Sequence, residues 1–492
     1  MADQPTADQP ADQPTVDQPA DQPTVDQPNV LLIVLDSVRA ANTSLHDHRR
    51  ETTPFLESFA ADSTVYGQAR APSTWSLPSH ASIWTGRAAP DHGIEITTTA
   101  NPGHSVWDAL SEVGYTTGVF SSNVYITDHP VGLGEPFDTV QGVPSELPAG
   151  YEQPGEFDVE APNGFWYVEQ FLDWSRDRTE PWAACVNVMD GHRPYLPLEA
   201  YDEWGDSEAW QVQSEIGRGQ FVWQFYGDRY PLWYLAALER LYDGAIRQAD
   251  AVTERLLQTL ADRGRLDDTL VVVTADHGDG LGEPSPVPDG PASIAHTLGT
   301  HEHLTHVPLI VRAPGQTAGA VVDDLATLSR FPAAVRRWVP ALSDGADSAT
   351  ETAGAVGTRQ RTESDDPRDD GVFVAPGGES LTYRRPIDGP KLRTAEEYCG
   401  EDYERYVGDS AALYRDLGGT AVEKVALWRG DAVRVVAHDA QGRLRTGTED
   451  PAVVTDRIDA ARDGPSLATP RDQDEEELPD EVLEHLANIG YR

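Results

Sequence analysis

The chain has 492 residues, more than one compact core usually holds, which favours two packed units. Acidic residues outnumber basic ones by 82 to 37, giving a formal net charge of −45 at pH 7, and this argues against nucleic acid or any other polyanion as a partner. Two cysteines are too few for a disulfide framework.

The charge balance also predicts adaptation to high salt. Such an acidic chain repels itself at low ionic strength, whereas molar salt shortens the Debye length to about 3 Å. Lys391 and Lys424 are the only lysines, so nearly all positive charge is arginine. An acidic protein from an ordinary environment is the alternative. Because no segment resembles a signal peptide or an apolar run of roughly 20 residues, we expect a cytoplasmic protein without a membrane anchor.

Ordered structure is expected to begin near residue 29. Residues 1–28 repeat an Asp-Gln-Pro unit with little apolar surface, which predicts a disordered acidic arm. The following run, Asn29–Leu35, is typical of a strand buried on both faces of a parallel sheet. Similar runs predict strands at 116–121, 182–188, 269–274 and 307–311, and a helix is predicted at 241–263. This alternation predicts an α/β fold, a doubly wound and mostly parallel sheet flanked by helices.

The C-terminal part changes in composition. Residues 345–371 have almost no large apolar side chains, which indicates a flexible linker or loop between a large domain at 29–344 and a smaller unit at 372–492. Alternation at 421–438 predicts strands, and 479–486 predicts a short terminal helix. The smaller unit should therefore be an α+β subdomain.

Chemically capable side chains follow buried strands or begin helices in several places. Asp36 ends the first strand, and Ser76 precedes a turn proline and a predicted helix N-terminus, where an oxyanion is favoured. Asp276 and His277 stand together at a strand end before a glycine turn, and a carboxylate with an imidazole suits a divalent cation. A fourth segment is rich in histidine: His296, His301, His303 and His306.

These segments carry a family resemblance. The N-V-L-L-I-V-L-D start, the S-L-P-S-H…T-G…H-G, T-A-D-H-G and H-T-L-G…H-V-P-L-I segments, and N-V-M-D-G-H-R-P-Y at 187–195 resemble the ordered signature set of the sulfatase family, in the alkaline-phosphatase superfamily. The match spans about residues 29–320, and the acidic composition suggests a haloarchaeal type of member. The resemblance implies a metal-dependent sulfuric-ester hydrolase. Its single divalent cation would be bound by the residues Asp36, Ser76, Asp276 and His277.

The resemblance also implies the other site residues. Ser76 would be the nucleophile or the position of a formylglycine, and His192 and His296 would bind the ester or protonate the leaving oxygen. His80 stands where the family has an arginine and is expected to line the substrate pocket. Arg39 is expected to contact an anionic group or to form an ion pair at a helix start. Calcium is the expected metal, with magnesium and manganese as alternatives.

Two departures from the family pattern leave alternatives open. His80 replaces the arginine, and Ser37 replaces a second acid. Both favour a phosphodiester or phosphonate monoester hydrolase, or a phosphotransferase, that uses unmodified Ser76. A catalytically silent acidic binding protein is a third reading. The expected ligand is a small anionic ester, with sulfated glycan as one candidate because the loops at 128–180 and 196–235 are rich in aromatic residues. No motif indicates an oligomeric state.

Overall fold

The computed structural model describes residues 27–342 and 371–470, with gaps at 97, 101–104, 129, 155–160, 217–220, 388, 409, 419–420, 438–444 and 464–465. Nearly all of the predicted arm and linker, and the predicted helix at 479–486, lie outside the described residues. Within the described part of the chain, no helix is both long enough and apolar enough to span a membrane.

Strands of the described residues form one large sheet, one smaller sheet and two short pairs. They are β1 (Asn29–Leu35), β2 (Thr64–Arg70), β3 (Thr98–Ala100), β4 (Thr116–Phe120), β5 (Thr139–Gln141), β6 (Trp182–Val188), β7 (Thr269–Thr274), β8 (Leu281–Glu283), β9 (Ser293–Ile294), β10 (Leu309–Arg312), β11 (Ala320–Thr327), β12 (Glu379–Arg384), β13 (Ser410–Asp416), β14 (Val422–Trp428), β15 (Asp431–Ala437), β16 (Arg445–Thr448) and β17 (Ala468–Pro470).

The α-helices lie mostly between these strands, as an α/β fold requires. They are α1 (Pro54–Ala60), α2 (Ser76–Thr85), α3 (Ala89–His92), α4 (Val106–Glu112), α5 (Val124–Thr127), α6 (Gly164–Ser175), α7 (Ser207–Ile216), α8 (Phe221–Tyr226), α9 (Trp233–Asp262), α10 (Glu302–Thr305), α11 (Phe331–Trp338), α12 (Gly389–Cys399) and α13 (Ala452–Arg462).

The large sheet has the strand order β11-β2-β10-β7-β1-β6-β4-β5. Strand β1 lies in its interior and pairs in parallel with β6 on one side and β7 on the other. Its apolar side chains are completely buried, which explains the continuous run of leucine and β-branched residues in the sequence. Strand β10 is antiparallel to both of its neighbours. The predicted mostly parallel α/β sheet is confirmed.

Helix α9 is longer than the sequence pattern predicted. The prediction placed its start near residue 241, whereas the structure begins the helix at Trp233. Leu235 and Leu238 are buried and continue the three-residue spacing that leads to Leu241. The expected start was therefore wrong by eight residues, because the exposed Trp233 interrupts the amphipathic pattern at the first turn.

The small sheet is an antiparallel meander of β12 to β16, docked beside the chain that leads into α2. The Tyr383 backbone N–H donates to the Pro72 carbonyl at 3.1 Å, and the Thr382 hydroxyl donates to the Ala71 carbonyl at 2.5 Å. The Ser73 hydroxyl donates to the Tyr383 carbonyl at 2.9 Å. These bonds fix the first strand of the small sheet three residues before Ser76.

Asp250 of α9 provides a pH-sensitive contact between two helices. Its carboxylate accepts from the backbone N–H groups of Phe55 and Leu56 at 2.9 and 3.0 Å, at the start of α1. Burial raises the pKa of Asp250 from its ordinary value of 3.8 to about 7, although these bonds and Arg247 act in the opposite direction. The folded protein thus holds this proton more tightly than the unfolded chain does.

We predict that this group stabilises the fold most below pH 3.8 and that its contribution is lost as the pH rises through about 7. The free energy of unfolding of the wild type should therefore fall more between pH 5 and pH 8 than that of Asp250→Asn. Denaturant unfolding at constant high salt measures both slopes, with the exposed Asp268→Asn as the control. If the free energy of unfolding of Asp250→Asn fell with pH as steeply as that of the wild type, the raised pKa would not belong to Asp250.

Candidate active site

The site forms where two adjacent parallel strands end. Asp36 directly follows β1, and Asp276 and His277 lie just beyond β7, so register places them side by side. All three side chains are completely buried. One ligand atom of each lies within 4.8 Å of the others, and within the described residues this is the one group of three or more such side chains able to hold a metal ion.

The backbone after β1 binds the neighbouring acid. Ser37 has a φ of 62°, in the left-handed region, and its N–H donates to Asp276 Oδ1 at 3.2 Å. The His277 N–H donates to the same oxygen at 3.0 Å. The other oxygen, Oδ2, is buried and has no hydrogen-bond partner among the described residues. A buried carboxylate oxygen that accepts no hydrogen bond suits a ligand of a metal ion.

Asp36 is held by side chains. Its Oδ1 accepts from the Ser37 hydroxyl at 3.0 Å, and its Oδ2 accepts from the amides of Asn123 and Asn187 at 3.0 and 3.2 Å. Burial raises the pKa of Asp36, but nearby imidazoles, led by that of His192, and the Asn187 bond outweigh it, so the pKa lies below its ordinary value. Asp36 is therefore a carboxylate at neutral pH, as metal binding requires.

His277 directs a nitrogen lone pair toward the carboxylate of Asp276. Its Nδ1 lies 2.8 Å from the Gly278 carbonyl, which can only accept, so Nδ1 carries the hydrogen and Nε2 of the neutral ring does not. Nε2 lies 3.4 Å from Asp276 Oδ2. A backbone acceptor that fixes the tautomer in this way is the usual arrangement around a histidine ligand. Asp36, Asp276 and His277 thus fit a divalent cation.

Ser76 reaches this cluster from the first residue of α2. Its Oγ lies 3.5 Å from Asp36 Oδ2 and 3.4 Å from His277 Nε2, and the residue is completely buried. At a helix N-terminus, unpaired N–H groups and the helix dipole favour negative charge on this oxygen. Ser79 is a weaker candidate for the nucleophile, because its hydroxyl donates to the Asp276 backbone carbonyl at 2.6 Å.

The three other predicted histidines lie around the cluster. His80, one turn after Ser76 on α2, donates from Nδ1 to the Ser76 carbonyl at 2.9 Å and lies 3.6 Å from Asp276 Oδ2. The rings of His192 and His296 are 5.3 Å apart, and the His296 ring is 4.6 Å from that of His277. Burial lowers the pKa of His296 to about 4, with a contribution from His277 and opposition from Asp279. His296 is therefore neutral near pH 7.

Arg39 forms an ion pair, which is the second of the two roles expected for it from the sequence. Its guanidinium pairs with Glu283 at 2.5 Å and donates to the Asn42 side chain at 2.5 Å and the Asp279 carbonyl at 3.1 Å. The side chain is only 4% exposed. Arg39 thus braces the loop after His277 through a buried ion pair.

Four contributors were missed by sequence reasoning: Asn123, Asn187, Tyr195 and Asp279. Asn187 and Tyr195 lie within the N-V-M-D-G-H-R-P-Y motif, and Asp279 directly follows T-A-D-H-G. Their positions in or beside a motif could therefore have identified them as site residues. Asn123 stands just after β4, another strand that ends at this edge of the sheet. Inspecting the residues that follow every predicted parallel strand would have found it.

We predict that Ca²⁺ or Mn²⁺ stabilises the wild type, by about 2.7 kcal/mol at one hundred times its dissociation constant, because a cation that binds only the folded state shifts unfolding. Asp276→Asn should lose most of this effect, since it removes the anionic ligand with the orphaned oxygen. Denaturant unfolding with and without each cation measures it. The buried Asp250→Asn, remote from the site, should keep the full stabilisation; equal stabilisation of Asp276→Asn would place the cation elsewhere.

The chain is similar to known proteins of one family. The model of the sulfatase family matches residues 28–341. Arylsulfatase K of Bos taurus is 22% identical over 336 residues, covering 61% of this chain and 60% of its own length. Iduronate 2-sulfatase of Homo sapiens is 25% identical over 353 residues, covering 59% and 60%. The chain thus spans about 60% of the length of these curated relatives.

Solved structures share the fold. The phosphonate monoester hydrolase of Agrobacterium radiobacter has a TM-score of 0.57 at 18% identity, covering 88% of this chain and 91% of its own. That of Silicibacter pomeroyi has a TM-score of 0.58 at 20% identity, covering 89% and 94%. A structure in complex with its substrate D-glucosamine-2-N,6-O-disulfate has a TM-score of 0.55 at 15% identity, covering 88% and 92%. Because the family model matches most of the chain, the protein belongs to the sulfatase family.

Proposed function

We propose that the protein is a metal-dependent sulfuric-ester hydrolase with Ser76 at the nucleophile position, either as serine or, after modification, as formylglycine. The observation that carries the proposal is the convergence of Ser76 Oγ on the predicted cation ligands, 3.5 Å from Asp36 and 3.4 Å from His277. A hydroxyl at a helix N-terminus beside a cation site is poised to react as an alkoxide.

Asp36, Asp276, His277 and Ser76 would hold the cation, with calcium proposed and magnesium or manganese as alternatives. Bound there, it would stabilise negative charge on the ester oxygens and lower the pKa of the Ser76 hydroxyl. Ser76 Oγ then forms a bond to the sulfur of the ester, and the bond from sulfur to the leaving oxygen breaks. Water resolves the resulting seryl ester. With formylglycine, one hydroxyl of the hydrated aldehyde would instead bond to the sulfur as the leaving oxygen departs, and the second hydroxyl would then expel sulfate as the aldehyde re-forms.

The remaining site residues would bind the ester and move protons. We assign His192 and His296 to the ester and its leaving oxygen, because their rings lie 5.3 Å apart beside the cation ligands. His80 would line the pocket from α2. Arg39 is assigned to bracing the loop, on the strength of its ion pair with Glu283. The proposed substrate is a small anionic ester, and the disulfated glucosamine bound by one structural neighbour makes a sulfated sugar the first to try.

A second candidate is a phosphodiester or phosphonate monoester hydrolase, or a phosphotransferase, that uses unmodified Ser76. It is favoured by two substitutions: Ser37, whose backbone N–H donates to Asp276 Oδ1, takes the sequence position of a second acid, and His80 replaces the arginine. Water or a second alcohol would then resolve a seryl phosphoester. The preferred ester and the state of the Ser76 side chain together separate the two candidates.

We predict that Ser76→Ala abolishes turnover, with a loss on the order of 10⁶-fold as for other nucleophilic serines. Hydrolysis of 4-nitrophenyl sulfate and of 4-nitrophenyl phenylphosphonate in molar salt with added cation measures it, and Ser82→Ala on the same helix is the control. A mass spectrum of the Ser76 peptide shows a loss of about two mass units if formylglycine is present, which favours sulfate esters; if the serine is unmodified, the ratio of the two hydrolysis rates decides between the candidates. Equal measurable rates for wild type and Ser76→Ala would contradict the nucleophile assignment, and no turnover in the wild type would leave a binding protein.

A further inference from the structure

Asp279 is a buried carboxylate that neither the predicted cation site nor the proposed nucleophile uses. Its side chain is completely buried two residues after His277. Oδ2 accepts from the Tyr195 hydroxyl at 2.5 Å, and Oδ1 lies 3.3 Å from His296 Nδ1. A carboxylate with both oxygens engaged by a tyrosine and a histidine resembles an orienting group more than a packing residue.

This contact determines which nitrogen of His296 carries the hydrogen. A carboxylate only accepts hydrogen bonds, so Nδ1 of His296 must carry the hydrogen that faces Asp279. In the neutral ring the lone pair is then on Nε2, which becomes the nitrogen able to accept a proton from a hydroxyl or to exchange one with an ester oxygen. The ring lies 4.6 Å from that of the predicted ligand His277, so Nε2 acts close to the cation site.

The backbone brings Asp279 and His296 together. Gly280 and Ala295 exchange backbone hydrogen bonds of 3.0 and 2.9 Å, next to the β8–β9 pair. The proline-rich insertion from Pro284 to Pro291 forms the turn between these two strands and so returns the chain to the residue opposite Asp279. Arg39 fixes the other side by donating to the Asp279 carbonyl at 3.1 Å.

We propose that Asp279, supported by Tyr195, is a positioning residue that holds His296 in the tautomer with hydrogen on Nδ1 and presents Nε2 to the reacting ester. The catalytic part of this inference rests on the proposed function, whereas the hydrogen-bonded arrangement does not. Asp279 itself does not touch the substrate in this assignment.

The test compares Asp279→Asn and Tyr195→Phe with the wild type and with Asp250→Asn, a buried carboxylate outside the site. Asp279→Asn should lower kcat by about 10²- to 10⁴-fold, because a carboxamide can donate as well as accept and no longer enforces one tautomer. KM should stay within about threefold of the wild-type KM. The stabilisation that the cation gives should stay near the wild-type value. Tyr195→Phe removes one of three hydrogen bonds to the Asp279 carboxylate and should lower kcat by about tenfold.

A second readout does not need turnover. Imidazole ¹⁵N shifts of histidine-labelled protein, with His296 assigned by its loss in His296→Gln, should show a single tautomer protonated at Nδ1 in the wild type and a mixture in Asp279→Asn. An Nε2-protonated ring in the wild type overturns the inference, as does unchanged kcat in both variants. If the wild type hydrolyses neither ester, the proposed function fails, and the ¹⁵N shifts still decide how Asp279 holds His296.

Discussion

Two carboxylates, Asp36 and Asp276, end neighbouring parallel strands and are both completely buried within a few ångströms of each other. Removing such ions from water costs several kcal/mol each unless other charges or hydrogen bonds compensate. Backbone N–H groups satisfy one oxygen of Asp276, and two asparagine amides and a serine hydroxyl satisfy Asp36. These neutral donors offset only part of the cost, which supports the proposed binding of a cation at the site.

The same requirement explains the local backbone. A serine at φ 62° costs on the order of 1–3 kcal/mol, yet Ser37 adopts it because its N–H then points at Asp276. The N-terminus of α2 also faces the acids, and its dipole places partial positive charge beside them. Ser76 is therefore positioned by the electrostatics of the acids as much as by the turn that precedes the helix.

The sequence predicted those parts of the site that follow from a local pattern. Asp36, Asp276 and His277 could be found because long buried strands end beside them, and Ser76 because a proline and a helix start follow it. The contacts of Asn123 and Asn187 with Asp36 join residues 87 and 151 positions apart, and no local pattern encodes which amide reaches which acid. Arg39 shows the same limit, since its pairing with Glu283 spans 244 positions.

The fold class was predictable for a similar reason, whereas the way the two sheets join was not. Lys424 of the small sheet is buried and donates to the Thr300 carbonyl at 2.5 Å and to Glu302 at 3.2 Å. Arg70 of the large sheet pairs with the other Glu302 oxygen at 2.6 Å, and the Tyr414 hydroxyl also donates to Glu302. Burial raises the pKa of Glu302, but the positive charges of Arg70 and Lys424 outweigh it. The pKa of Glu302 therefore lies well below its ordinary value.

This bridge bears on the site because the segment that it fixes, Thr300 to Thr305, continues the chain from His296 into β10. Without the small sheet, Glu302 would lose its contact with Lys424. The remaining ion pair between Arg70 and Glu302 would then be more exposed to water, where an ion pair contributes little to stability. The position of His296 would then depend more strongly on its contact with Asp279 and on the β8–β9 pair. The antiparallel sheet is thus part of what holds the candidate active site in place.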